Sequence, residues 1–217
     1  MSKLIDFIET NNIEKYIVYH EFGHLFTSVL FKSLDFQYNI ISRIEFFLYE
    51  NQPQARVNSV PLHSLITNCN KYRIGDISYL ISKEDKALIG PVILGLASGN
   101  MFDAIFSNKG DFLEILWSKK LMPHQDRDAI NCIRKMGKLG INELENFLNQ
   151  YKTIIEKHKK LIDTILYNLC LFEVQLDEDI AFFSDRILIE IIEYIEFNLP
   201  RGLVADVQNF RSKMVFL

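Results

Sequence analysis

The chain has little of what interrupts regular structure or staples a small fold. Five prolines and nine glycines in 217 residues leave few breakers, which predicts long elements and short connections. Cysteine is scarce too. Cys69, Cys132 and Cys170 are odd in number, far apart and in no CxxC pair, which excludes a disulfide framework and suits free thiols in a reducing compartment. No repeat or low-complexity segment is present. The opening MSKLIDFIETNNIEKY mixes acids and amides into its apolar residues, unlike the unbroken apolar core of a signal peptide. The longest apolar run, LIGPVILGLA from Leu88 to Ala97, is half the roughly 20 residues that span a bilayer. A net charge of −4 lacks the basic surface that phosphate binding needs. These absences predict a soluble, cytoplasmic protein with neither a nucleic-acid nor a membrane partner.

What is present is an ordinary globular composition, 48% hydrophobic and 24% charged, in a chain long enough to bury a sizeable core. Residues 3–10 read as a short helix. Residues 13–34 read as a second, with Ile17, Val18, Phe22, Leu25, Phe26, Val29 and Leu30 at helical spacing. Residues 38–60 read as a hairpin: YNIISRIEFFLY is β-branched and aromatic, NQPQ at 51–54 is a turn cluster, and ARVNSV follows as the partner strand. Residues 61–82 carry no clear pattern. From 84 onward the pattern is helical: 84–106, interrupted at Gly90-Pro91; 111–120 with Trp117; 126–136 after Pro123; a long helix over 141–172; and another over 177–198, ended by Pro200 and Gly202. The tail from 203 is unassigned. The expected class is α+β and mostly helical: one helix beside a small sheet, and a helical C-terminal half.

The chemistry concentrates in His20-Glu21-Phe22-Gly23-His24, an HExxH on the second helix. Residues i and i+4 lie one above the other on a helix face, so two imidazoles can converge on one ion at about 2.0–2.1 Å. Glu21 lies about 100° further round the axis, where its carboxylate reaches a bound water without being a ligand. Zinc lowers the pKa of such a water toward about 7, and Glu21 takes its proton and can return it to a leaving amine. Shuffling this composition yields an HExxH in roughly 1% of sequences. The alternative is a pair of ordinary histidines, but two buried, unpaired imidazoles beside a carboxylate are costly. Gly23 in mid-helix costs about 1 kcal/mol against alanine, so it points to a close neighbour.

A catalytic zinc wants a third protein ligand and an open fourth position. No HExxHxxGxxH continuation exists, so that ligand lies elsewhere. Candidates sit in Pro123-His124-Gln125-Asp126-Arg127-Asp128-Ala129, where an acid could equally be a helix cap.

These residues resemble the peptidase domain of the FtsH family of zinc metallopeptidases. YIVYHEFGHLFTSVLF is similar to that family's zinc helix. ISRIEFFLYENQPQARVNSVP is similar to the strand and hairpin after it, without the usual glycine. LIGPVILGLASG is similar to a following glycine-containing helix, with Leu94 where the family has an acid. Residues 125–128 resemble the short acidic segment that supplies the third ligand, and 151–180 the long helix with its acidic ending. The resemblance covers roughly 14–185, and only HExxH is specific by itself. It implies His20 and His24 as zinc ligands, Glu21 as general base, and Asp126 as third ligand with Asp128 its rival. It also implies a single peptidase-like domain over 1–217, with a core of about 14–185 and a helical extension over 186–217. No ATPase module or membrane anchor is recognisable, so the implied protein is a stand-alone peptidase acting on short peptides or unstructured segments. The alternative function is a non-catalytic, metal-containing binding or regulatory module.

Other residues carry less. His63 reads as a surface histidine, and His158 in EKHKK as solvated. The 17 phenylalanines read as core filling, and Lys157, Lys159 and Lys160 as a small basic face. The 38–60 hairpin could also align an extended peptide on its edge. Nothing in the sequence sets the oligomeric state or the cleavage preference.

Overall fold

The computed structural model describes residues 2–37, 39–61, 83–107, 110–118 and 124–214. In chain order these form β1 (Ser2–Lys3), α1 (Leu4–Thr10), α2 (Lys15–Lys32), β2 (Asn39–Tyr49), β3 (Gln52–Pro61), α3 (Lys83–Ser107), α4 (Phe112–Trp117), α5 (His124–Met136), α6 (Ile141–Lys157), α7 (Lys159–Leu169), β4 (Glu173–Asp177), β5 (Ile180–Phe182), α8 (Asp185–Asn198) and α9 (Arg201–Met214). The class is α+β, mostly helical, with one small antiparallel sheet in the order β1-β4-β5-β2-β3. Residues 62–82, including His63 and Cys69, lie outside the described residues.

Helix α2 is apolar on almost every side, the signature of a helix enclosed by its own protein. One face meets the sheet, where the Phe22 ring lies 5.9 Å from Phe46 and 6.5 Å from Phe183. The opposite face meets α3 so closely that a Cβ at Gly23 would stand 2.8 Å from Phe102 Cγ and 2.9 Å from the Ser98 carbonyl. That contact is the physical reason for a glycine in mid-helix. Helix α3 is equally enclosed. Ala87–Ser107, 21 residues, is long and apolar enough to cross a membrane, exceeding the ten-residue run evident in the sequence. But 83% of that stretch's most apolar window is buried inside the protein, so α3 serves as a core helix.

Five sequence expectations change. Helix α3 runs unbroken through Pro91. Proline costs a helix interior about 3 kcal/mol, and the burial of Pro91 and its neighbours outweighs it. The β2–β3 turn sits at Glu50-Asn51, both at positive φ, with Tyr49 opposite Gln52. This is the two-residue geometry that matches strand twist, and Pro53 is tolerated because β3 is the outer strand among the described residues. The helix expected over 141–172 breaks at His158, which caps both α6 and α7. Its side chain is 11% exposed and bonded to Asp206 at 2.7 Å, so it is not solvated as expected. Residues 173–182 form a hairpin turning at Glu178, φ 51°, because β5 pairs with β2. Ser184 then caps α8, accepting from the Ile187 amide. The unassigned tail is α9, which buries Leu203, Val207 and Phe210.

Candidate metal centre

His20 and His24 lie one turn apart on α2 and face α3. Each ring is fixed through Nδ1. His20 Nδ1 is 2.9 Å from Asp103 Oδ2, and His24 Nδ1 is 2.8 Å from the Gly95 carbonyl oxygen. A carbonyl can only accept, so His24 carries its hydrogen on Nδ1. An ionised carboxylate imposes the same tautomer on His20. Both Nε2 atoms are thereby left as lone-pair donors, and they converge to 3.3 Å. Two nitrogens held at about 2.0–2.1 Å by one tetrahedral ion stand roughly 3.3 Å apart.

Helix α3 forms the cradle. A Cβ at Gly99 would stand 2.5 Å from His20 Nε2 and 2.6 Å from His24 Nε2, so only glycine lets the two imidazoles pack this closely on α3. Ser98 Oγ donates to the Gly95 carbonyl at 2.6 Å and lies 3.4 Å from His24 Nδ1, so it shares the acceptor that orients His24. Gly95, Gly99 and Asp103 fall at four-residue intervals and therefore share one face. The two converging Nε2 donors fit a divalent cation of the zinc type.

Glu21 is buried, 9% exposed. The Asp126 side chain lies outside the described residues, as does that of His124. Asp128 is exposed and 3.7 Å from Arg127. Among the described residues no three His, Cys, Asp or Glu side chains are grouped to hold a metal. The backbone of α5 is described, however. Gly137, just past its end, lies beside Ile89 near the start of α3. Helix α5 packs against α3.

Sequence reasoning missed Gly95, Ser98, Gly99 and Asp103. The available signal was the Gly-x-x-x-Gly-x-x-x-Asp interval within an otherwise apolar helix. Leu94 is fully buried in the core, and the acid that α3 brings to the histidines is Asp103, nine residues on.

Compared with known protein families, with curated proteins and with solved structures, the chain matches none.

Proposed function

We propose that this chain is a zinc-dependent peptidase of the HExxH kind, acting on short peptides or unstructured segments, with a catalytic domain of the FtsH type. The observation that carries the reading is the pair of Nε2 atoms at 3.3 Å, each imidazole oriented through its other nitrogen. Two facing lone pairs repel each other, and a shared cation removes that repulsion. The buried carboxylates of Glu21 and Asp103 add negative charge that a divalent ion would balance.

In this reading His20 and His24 hold the ion, and Asp126 completes the set, with Asp128 as its rival from the same turn of α5. Zinc, when bound, supplies Lewis acidity that makes water acidic near pH 7. Glu21 removes the proton of the attacking water and delivers it to the leaving amine. Gly95 and Asp103 hold the two ring hydrogens throughout, so neither imidazole turns away. Outer strand β3 touches α2 and offers an edge along which an extended peptide can lie.

The test is zinc content of the purified protein, then turnover of a peptide library by wild type and Glu21→Gln. Stoichiometric zinc with turnover lost only in the variant is the expected result. Equal or equally absent turnover in zinc-loaded wild type rejects the enzyme. A second reading, a metal-containing module without catalysis, is favoured by the small exposure of the site, where the His20 side chain is 13% exposed. A closed four-ligand sphere on the bound zinc would select it.

A further inference from the structure

We propose that Asp103 is a positioning residue that, by accepting from His20 Nδ1, locks His20 in the tautomer that can bind a metal. The inference rests on the reading of His20 and His24 as ligands, and it concerns a residue that does not itself touch the ion.

Two other acids of this protein show how it ordinarily holds a carboxylate. Glu45, 4% exposed, is gripped by both Arg43 and Arg56. The two guanidiniums in turn lie over the Phe182 and Phe47 rings. Asp206 receives Lys157 and His158, each at 2.7 Å. Those acids are held for structure by arginine, by lysine and by a histidine ring. Asp103 is 7% exposed, and no lysine or arginine among the described residues pairs with it. Its Oδ2 meets His20 Nδ1 at 2.9 Å, while its buried Oδ1 has no hydrogen-bond partner among the described residues. A carboxylate taken out of water with one oxygen unanswered is expensive. It persists where its field serves something beyond its own hydrogen bond.

What it serves follows from tautomer logic. A carboxylate has no hydrogen to give, so it can only accept from Nδ1, and the lone pair is fixed on Nε2. An asparagine of the same shape can present its amide NH2 to Nδ1 instead, which moves the ring hydrogen to Nε2 and closes the donor. His24 does not need such a guard, because its partner is the Gly95 carbonyl, which cannot become a donor. The two imidazoles are therefore supported unequally, and only His20 depends on an ionised side chain.

The experiment uses the full chain, prepared metal-free. Long-range proton–nitrogen NMR reads the tautomer of each histidine, and competition with a chromophoric chelator reads zinc affinity. Wild type should show Nδ1–H at both His20 and His24. Asp103→Asn should shift His20 toward Nε2–H, leave His24 unchanged, and weaken zinc about 10- to 100-fold. Asp103→Glu, which keeps the charge on a longer arm, should hold the His20 tautomer and recover part of the affinity. His20 in the Nε2–H form in metal-free wild type overturns the proposal, and needs no variant to fold. So does Asp103→Asn with an unchanged tautomer and wild-type affinity. If wild type binds no zinc, the function proposed above fails, while the tautomers of wild type and variant still decide the role of Asp103.

Discussion

Replacing Gly99 with alanine tests the cradle most directly. The added Cβ would stand 2.5 Å from His20 Nε2, 2.6 Å from His24 Nε2 and 2.7 Å from His20 Cδ2, about 1 Å short of a normal contact near 3.5 Å. Neither ring can yield cheaply, because each is tied through Nδ1 to Asp103 or Gly95. Moving α3 back would open the seam that Gly23 closes against Phe102. Overpacking of this kind costs about 1–3 kcal/mol, and alanine returns about 1 kcal/mol of helix propensity over glycine. The net effect on the metal-free protein is a loss on the order of 0–2 kcal/mol, a few degrees of melting temperature for a chain of this length. Zinc binding should suffer far more, by about 100-fold or beyond, because the two donors can no longer sit at one ion's bite. Thermal melting of the metal-free protein and chelator competition measure the two effects separately. Gly23→Ala is the control: its clash lies with Phe102 and the Ser98 carbonyl, so it should cost stability while leaving zinc affinity closer to wild type. A Gly99→Ala protein that melts no lower than wild type and binds zinc within twofold would refute the geometry.

Three further outcomes are expected. Glu21→Gln should keep its zinc and lose about 10²- to 10⁴-fold in peptide turnover, measured as kcat at matched zinc loading. Burial pushes the Cys170 thiol up to about 12, so it is protonated at neutral pH. Iodoacetamide labelling of Cys170, followed by mass spectrometry, should be slow in the native protein and fast in denaturant. The hydrogen bond from Lys157, then that from His158, holds the Asp206 carboxyl below the usual carboxylate range. A depressed folded-state pKa contributes stability that is present above the unfolded value of about 3.9 and is lost as pH falls through the folded value. Asp206→Asn should therefore lower the urea midpoint at pH 7, and the gap to wild type should close on acidification below about pH 4.

The sequence displayed the parts of the fold that are set locally. The apolar period of α2 and the β-branched run of β2 are short-range features, and both elements emerged where expected. It hid what depends on partners distant in the chain. Strand β5 reads as the start of a helix until β2 is there to pair with it. Pro91 reads as a break until the burial around it is known. His158 reads as solvated because its partner, Asp206, lies 48 residues away. The site divides in the same manner. His20, Glu21 and His24 announce themselves by spacing, whereas Gly99 and Asp103 become meaningful only once α3 is laid against α2.

That juxtaposition is also the strongest reason to treat the centre as functional. Two core helices, each apolar along most of its length, bring polar and small residues to one contact: His20, Gly23 and His24 on α2, and Gly95, Ser98, Gly99 and Asp103 on α3. Chance burial of polar groups scatters them and leaves each to find its own partner, as Ser28 does with Asn39. Here one helix supplies donors aimed at a point, and the other supplies acceptors behind them and a missing side chain in front. A core that needed only stability would place methyl groups, each worth about 0.8 kcal/mol, where this one places two imidazoles against a glycine.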